Sequence, residues 1–325
     1  MLLSRTAEGV YWAGRYAERA EATARLVKVH TELFLDLPKS AGVGWSPLLA
    51  VTGSGEAFST RHSDTEEDEV VAFLVVNGDN PSSVIASLAS ARANLRVTRT
   101  VLPRLSWEVL NELFLWAVDT SAQAVDRRTR LAWMAHIVRQ CQLFSGSLAG
   151  TMYHDESYSF LEIGRFIDRA DMTTRVLDVQ AEILLGQGAN KVKPYADITW
   201  MNVLQSLNTR QIFLQQAHTG ESGPEALRFL LKDPRFPRSV EHCLTAVSRC
   251  LLELPAHHEP MAACAAVQSQ LEDADVPRLA EAGLHQFTDA LQQGISHLHD
   301  MVIATYFDTT PARSGEAVRQ QMTGR

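Results

Sequence analysis

The sequence of 325 residues is poor in several features that mark common classes of protein. Its four cysteines form no Cys-x-x-Cys pair, which argues against a zinc ribbon or a dithiol redox site, and no charged and then apolar leader precedes the first motif. No apolar stretch reaches membrane-spanning length, and the alternating Val- and Thr-rich pattern of strands is almost absent. These absences predict an all-α, cytoplasmic protein with no membrane partner.

The sequence also has no excess of basic residues, since its formal net charge is -8. Binding to nucleic acid needs a basic face that neutralises phosphates, so we expect no nucleic-acid partner. Aromatic residues make up only 7% of the chain, whereas Ala, Leu, Arg and Glu are abundant. These side chains lose little rotamer freedom in a helix, which again favours an all-α fold.

The usual motifs of nucleotide and metal sites are absent as well. We find no Gly-x-x-x-x-Gly-Lys-Ser/Thr loop, no Gly-x-Gly-x-x-Gly turn, and no Glu followed three residues later by His, as in di-iron bundles. We therefore expect no cofactor and no metal. The histidines at 257–258 and 297–299 are interpreted as solvent-exposed or capping residues, and Asp155 or Ser157 as a helix N-cap.

What the sequence does contain is one charged motif written twice. Residues 14–25 and 164–175 both fit Gly-Arg-aromatic-x-acid-Arg-Ala-acid-x-Thr-x-Arg, and later matches pair Trp45 with Trp200 and Ser83 with Ser239. The offsets of 150, 155 and 156 keep the order of the chain, which indicates a tandem duplication. We predict two homologous helical-bundle repeats packed as one body. Repeat 1 spans 1–153, repeat 2 spans 154–309, and a mobile tail follows at 310–325.

Helical periodicity runs through both halves. We expect loops at 36–45 and 186–195. The predicted helices are 4–36, 45–52, 66–76, 81–103, 106–119, 128–153, 157–186, 198–217, 223–232, 237–253, 259–272, 277–290 and 292–307.

On a helical wheel of about 100° per residue, the motif separates into an apolar stripe and charged flanks. The acids and the last arginine of each copy lie on one flank together with Gly14 or Gly164, while Arg19 and Arg169 lie on the other. Arg15 and Arg165 point most nearly away from the stripe. The apolar stripes are predicted to be core: Ala13, Tyr16, Ala17, Ala20, Ala24 and Val27 in the first copy, and Ile163, Phe166, Ile167, Ala170, Thr174 and Leu177 in the second.

The charges of the motif allow three interpretations. Pairing within a helix, such as Glu21 with Arg25, is worth only a few tenths of a kcal/mol and imposes no particular residue type. Charges beside a core usually have partners, because an unpaired buried charge is costly. These partners belong either to the other repeat, which would make the motif a clasp between the halves, or to a bound ligand or protein. Gly14 and Gly164 favour a close approach of two helices and hence the clasp.

The opening Met1-Leu-Leu-Ser-Arg-Thr-Ala, followed by Tyr11-Trp12 and the first motif, resembles the signature of the bacterial alpha-E family. Asp79-Asn80-Pro81, Trp107-Glu108 and Phe160-Leu161-Glu162 resemble its later blocks, so the resemblance covers roughly 1–307. It implies a helical domain encoded beside, or fused to, a circularly permuted ATP-grasp ligase and often a transglutaminase-like protease. A role in making or modifying peptide-like amides is what this association implies.

Three functional hypotheses follow. The leading one is an accessory or binding protein that acts with an ATP-grasp carboxylate–amine ligase through the motif helices. The second is an enzyme between the repeats, with Glu18 and Glu21 as candidate general acid or base, and the third is a structural protein in which the motif only clasps the halves. The candidate ligand- or partner-binding residues are Arg15, Glu18, Arg19, Glu21, Arg25, Arg165, Asp168, Arg169, Asp171 and Arg175.

Overall fold

A computed structural model describes residues 4–36, 44–185, 196–216 and 223–307. These residues form α-helices, one short 3-10 helix and connecting turns, with no strand among them, so the predicted all-α fold is confirmed. The helices before residue 152 are α1 Ser4–Asp36, α2 Ser46–Val51, α3 Gly55–Ser59, α4 Glu67–Val75, α5 Val84–Val97, α6 Arg104–Asp119, α7 Ser121–Val125 and α8 Arg130–Thr151. The 3-10 helix Arg99–Val101 lies between α5 and α6.

The second half repeats this succession of long and short helices. Its helices are α9 Glu156–Leu185, α10 Ala196–Ser206, α11 Arg210–Gln216, α12 Gly223–Lys232, α13 Val240–Leu252, α14 His258–Glu272, α15 Val276–Glu281 and α16 Leu284–Tyr306.

The two longest helices, α1 and α9, pack against each other at the centre of the molecule. Helix α1 also contacts α5 and α8, and α9 makes the matching contacts with α13 and α16. Each of the short helices α2 and α10 packs on the central helix of the other half, α2 on α9 and α10 on α1. The predicted apolar stripes lie in this core and are buried, except that Tyr16 is half-buried.

Turns and helix caps of the first half recur in the second half 155 or 156 residues later. Gly53 and Asn208, both with positive φ, follow the ends of α2 and α10, and Ser83 and Ser239 accept the same N-cap hydrogen bond at the starts of α5 and α13. The offsets are those of the sequence matches. The division into two homologous units stays a prediction, and this correspondence supports it.

Four predicted helices have different limits in the structure. The helix predicted at 81–103 spans only Val84–Val97 and is followed by the separate 3-10 helix, and the helices predicted at 198–217, 277–290 and 292–307 are divided at other residues. The segment predicted as one helix at 198–217 is interrupted after Ser206, where Asn208 adopts a φ of 54°. The break predicted near residue 291 lies instead at Gly283, whose φ of 84° lets the chain turn between α15 and α16. The short helices α3 and α7 were not predicted, because five residues are too few to show a period.

Some predictions concern parts of the chain outside the described residues. The loops predicted at 36–45 and 186–195 lie largely or wholly there, and so does the predicted tail at 310–325.

Candidate functional site

The two motif helices cross at their glycines. A Cβ added to Gly14 would lie 2.3 Å from the backbone oxygen of Leu161, and one added to Gly164 would lie 2.2 Å from that of Tyr11. Both distances are far inside van der Waals contact, so only glycine allows the backbones of α1 and α9 to approach this closely. The predicted close approach of the two helices is confirmed.

On one side of the crossing, Asp168 of α9 binds two arginines of α1. Its Oδ1 atom accepts hydrogen bonds from Nε of Arg15 at 3.1 Å and from Nη2 of Arg19 at 2.6 Å. Asp168 and Arg15 are buried, whereas the Arg19 side chain keeps 23% of its surface exposed. The first motif therefore supplies the cations for the acid of the second.

On the other side, Glu18 of α1 is held by two arginines from the second half. Arg169 donates to both carboxylate oxygens, from Nε at 3.0 Å and from Nη2 at 2.6 Å. Arg238, at the start of the α13 region, donates to Oε1 from Nη1 at 2.7 Å. Glu18 is only 2% exposed. A bidentate contact of this kind, with two N–H···O bonds between guanidinium and carboxylate, is a strong form of ion pair.

Glu21 extends this second group of charges. Its Oε1 atom accepts hydrogen bonds from Arg25, four residues on, from Nη2 of Arg238 at 2.9 Å and from the Gln142 amide at 3.4 Å. The predicted pairing of Glu21 with Arg25 is thus confirmed, but it belongs to a larger buried network. A single arginine, Arg238, bridges Glu18 and Glu21.

The arrangement is reciprocal. The acid of the Glu18-Arg19 pair binds the arginine of the Asp168-Arg169 pair, and the acid of the second pair binds the arginine of the first. Weak pairing within each helix does not account for these contacts, because they join residues about 150 positions apart in the chain. The charged core of the motif therefore links the two halves.

The surroundings fix the charge of Glu18. Burial alone would raise its pKa, but the guanidinium groups of Arg169 and Arg238 outweigh burial and hold the pKa well below its usual range. Burial, together with nearby Arg238, lowers the pKa of Arg25 to about 10, with Glu21 acting in the opposite direction. Both groups are charged at neutral pH. Glu18, inaccessible and with both oxygens bonded, is poorly arranged to exchange a proton with a substrate.

The other predicted site residues pair within their own helix. Arg165 donates to Glu162 at 2.6 Å, and Arg175 donates to Asp171 at 2.8 Å. The side chains of Arg175 and Asp171 retain 33% and 21% exposure. The structure thus brings Arg15, Glu18, Arg19, Glu21, Arg25, Asp168 and Arg169 into the inter-helix network, while Arg165, Asp171 and Arg175 lie at its edges.

The prediction that Arg15 points away from the core is wrong. Arg15 is buried, with its guanidinium carbon 5.3 Å from the centre of the Trp12 ring. A wheel considers one helix alone, whereas α9 crosses α1 at this point and covers the outward face. Arg165 shows the same effect more weakly, since its side chain is 15% exposed.

Sequence reasoning missed Arg238 and Gln142, which lie outside the repeated motif. One signal for Arg238 was available: it occupies the variable position of Pro237-x-Ser239, where the first half has Ser82. A charged residue in place of a small one, directly before a helix start, breaks the match between the halves. Gln142 offered no such signal.

Beside the crossing, Tyr11 and His299 form a second polar contact. The Tyr11 hydroxyl lies 2.6 Å from Nδ1 of His299, and the two rings stack. Burial and then the charge of Arg15 lower the pKa of His299 to about 4, while burial raises the pKa of Tyr11 to about 12. At neutral pH the contact therefore joins a neutral phenol to a neutral imidazole, and the tautomer of the ring sets which of the two donates. The expectation that His299 is solvent-exposed or capping is wrong, because α16 packs this histidine against α1.

The remaining histidines and acids have local roles. Asp155 accepts hydrogen bonds from the amides of Ser157 and Tyr158, which confirms it as the cap of α9. His257 bonds the backbone oxygen of Leu254 next to the start of α14. Within the described ranges, no three His, Cys, Asp or Glu side chains are grouped so that they could hold a metal ion. None of the helices described there is long and apolar enough to cross a membrane.

Comparison with known proteins gives one family and a few distant relatives. The sequence model of the Alpha-E family, described as a predicted alpha-helical domain with a conserved ER motif, matches residues 2–307. Uncharacterised proteins of Mycobacterium bovis and Mycobacterium tuberculosis CDC 1551 are each 23% identical over 273 residues. These matches cover 77% of this chain but 30% of each relative, so the chain spans about a third of the length of the relatives it matches. No solved structure matches.

The chain belongs to the Alpha-E family, since that match covers almost the whole described fold. Glu-Arg occurs once in the sequence, at Glu18-Arg19. This pair enters the reciprocal network, and a conserved ER motif is part of the description of the family.

Proposed function

We propose that this Alpha-E protein is a cytoplasmic helical accessory protein that binds an ATP-grasp carboxylate–amine ligase and acts with it in making or modifying peptide or amide bonds. The observation that carries the proposal is the internal use of the motif charges. Among the described residues, Asp168 is bound by two arginines of the first motif, and Glu18 is bound by Arg169 of the second motif and by Arg238. Charges used in this way build a rigid body, which suits a docking module better than a proton-transfer site.

The family resemblance and the length of the relatives support an accessory role. The family resemblance implies an ATP-grasp ligase as neighbour or fusion partner. The mycobacterial relatives continue far beyond the matched region, since the match covers only 30% of their length, so in them this domain is one part of a longer polypeptide.

The four cysteines are unpaired, which fits the reducing compartment that the proposal requires.

The structure shows which motif residues are accessible to a partner protein. Charge reversal of Arg15 would break a buried contact with Asp168 and lower stability, so it cannot report on docking alone. Arg19, Arg165 and Arg175 retain solvent-facing surface and remain predicted partner contacts.

Affinity purification tests the proposal. The tagged chain is crosslinked mildly in its native cells and purified, and the captured proteins are identified by mass spectrometry. We expect enrichment of an ATP-grasp ligase, whose activity should change when the purified chain is added. A chain that purifies alone, and that leaves the ligase activity unaltered, would contradict the proposal.

A structural role of the motif is the second candidate, and the reciprocal network favours it directly. If the motif serves only as a clasp, substitutions there lower stability and affect ligase binding only in proportion to unfolding. Ligase binding measured well below the melting temperature, alongside circular dichroism, separates the two roles.

A further inference from the structure

A surface of the first half carries unbalanced positive charge. Between Asp79 and Glu108 the sequence contains four arginines and no acidic residue. They are Arg92 and Arg96 on α5, Arg99 in the 3-10 helix and Arg104 at the start of α6. Together with the rings of Trp107 and Phe114 they are called here the arginine surface.

Aromatic rings hold two of these arginines in place. The guanidinium carbon of Arg99 lies 4.9 Å from the centre of the Trp107 ring, and that of Arg92 lies 5.1 Å from the centre of the Phe114 ring. Arg92 also donates from Nε to the Asn111 side chain at 2.7 Å. Contacts of this kind fix the direction of a guanidinium group while leaving its charge uncompensated.

Acidic partners are missing where they would be expected. Within the described residues, Arg92, Arg96 and Arg99 make no ion pair, and the neighbouring Arg104 pairs with Glu108. Arg96 and Arg99 are exposed. The motif arginines, in contrast, all have carboxylate partners. Three arginines of the surface, Arg92, Arg96 and Arg99, are therefore uncompensated on a chain whose net charge is -8.

The fold does not require these arginines. The offset of 156 residues that aligns Ser83 with Ser239 places Ser248 and Leu252 opposite Arg92 and Arg96. Helix α13 has the same cap and the same place beside its central helix as α5. Since one half forms this helix without the arginines, their presence in the other half needs an explanation outside folding.

We infer that the arginine surface docks an acidic segment of a partner protein, an inference that rests on the proposed function because the ligase is that partner. Carboxylates fit the guanidinium fork, and Val97 beside them is 71% exposed and offers apolar contact. Nucleic acid fits less well, because guanidinium carbons already lie 4.9 to 6.0 Å from the centres of the Trp107 and Phe114 rings, on which bases would stack. The net charge of the whole chain also repels phosphate.

The test compares the full chain with two charge-matched double variants. Arg96→Glu with Arg99→Glu reverses the centre of the arginine surface. Arg249→Glu with Arg278→Glu makes the same change of net charge at exposed arginines of the second half. All four side chains are exposed, so we expect unchanged helicity and melting temperature for both variants.

Two measurements are made on each protein. The first is recovery of the ATP-grasp ligase after crosslinking and purification. The second is fluorescence anisotropy of a labelled deca-glutamate peptide and of a labelled DNA oligonucleotide at low and high salt. We expect the Arg96/Arg99 variant to lose about tenfold or more in both ligase recovery and peptide affinity, because attraction at two positions becomes repulsion. The Arg249/Arg278 variant should resemble the unaltered chain.

The outcomes separate the two proposals. Equal ligase recovery by all three proteins would overturn the arginine surface as the docking site but leave the proposed function standing. No recovery by the unaltered chain would contradict the proposed function, and the peptide then decides whether the surface binds acidic segments. Peptide affinity that is the same in all three proteins, or tighter binding of DNA than of peptide, would overturn the inference.

Discussion

Glu18→Gln is the sharpest probe of the reciprocal network. The substitution keeps the shape of the side chain but removes the charge that faces Arg169 and Arg238, with three hydrogen bonds of 2.6 to 3.0 Å. Breaking a buried ion pair from one side costs about 3–5 kcal/mol. With an unfolding entropy of about 2.1 cal/mol/K per residue, a chain of 325 residues should melt about 4–7 °C lower.

The control for this prediction lies on the same helix. Glu32 pairs with Lys28 at the same i,i+4 spacing as Glu21 with Arg25, but both side chains of this pair are partly exposed. Glu32→Gln should lower the melting temperature by about 1 °C or less, because exposed pairs contribute little. Differential scanning calorimetry measures both variants. Equal melting temperatures for Glu18→Gln and Glu32→Gln would show that the buried charges do not hold the halves together.

Three further changes test other parts of the fold. Gly164→Ala should destabilise the protein by about 2 kcal/mol or more, because the new Cβ would clash with the backbone of Tyr11. Gly146→Ala is the control: its Cβ would meet no atom, so the change should be neutral or slightly stabilising. Thermal melting compares the two variants. Burial lowers the pKa of His30 from 6.5 to about 4, so the unfolded chain binds a proton there at a higher pH than the folded protein does. The free energy of unfolding should therefore fall by about 3 kcal/mol as the pH drops from above 6.5 to 4. His30→Gln should remove this part of the pH dependence, measured by urea titrations. Ser239→Ala deletes the cap of α13 and should cost about 1 kcal/mol by chemical denaturation, and no measurable loss would contradict the capping role.

Much of the fold could be predicted because its signals are local. Helix α1 has the predicted limits of 4–36, and the paired glycines correctly indicated a close helix crossing. The errors near residues 208 and 283 have a common cause. The turns at Asn208 and Gly283 depend on positive φ at one residue, which does not interrupt a periodic pattern enough to be seen.

The candidate site was only partly predictable, because a wheel describes one helix and the network joins two. The motif identified the charged residues, but not which of them meet. Arg15 was placed outside because α9 was not considered, and Arg238 was missed because it comes from a helix start 220 residues from Glu18. Long arginine side chains reach across an interface, so their sequence neighbours do not limit their contacts.

The exchange of acid and arginine between Glu18-Arg19 and Asp168-Arg169 has a consequence for the origin of the fold. A twofold axis between two identical chains imposes this kind of pairing, in which each copy supplies what the other lacks. If the two halves arose by duplication, as the repeated motif predicts, a single ancestral half would leave its carboxylate and its guanidinium unmatched in isolation and satisfied in a homodimer. Joining two such halves by the short stretch from α8 to α9 would preserve these reciprocal pairs, and would free each copy to change alone. Arg238 opposite Ser82, and the arginines of α5 opposite Ser248 and Leu252, are the kind of divergence that such a fusion permits.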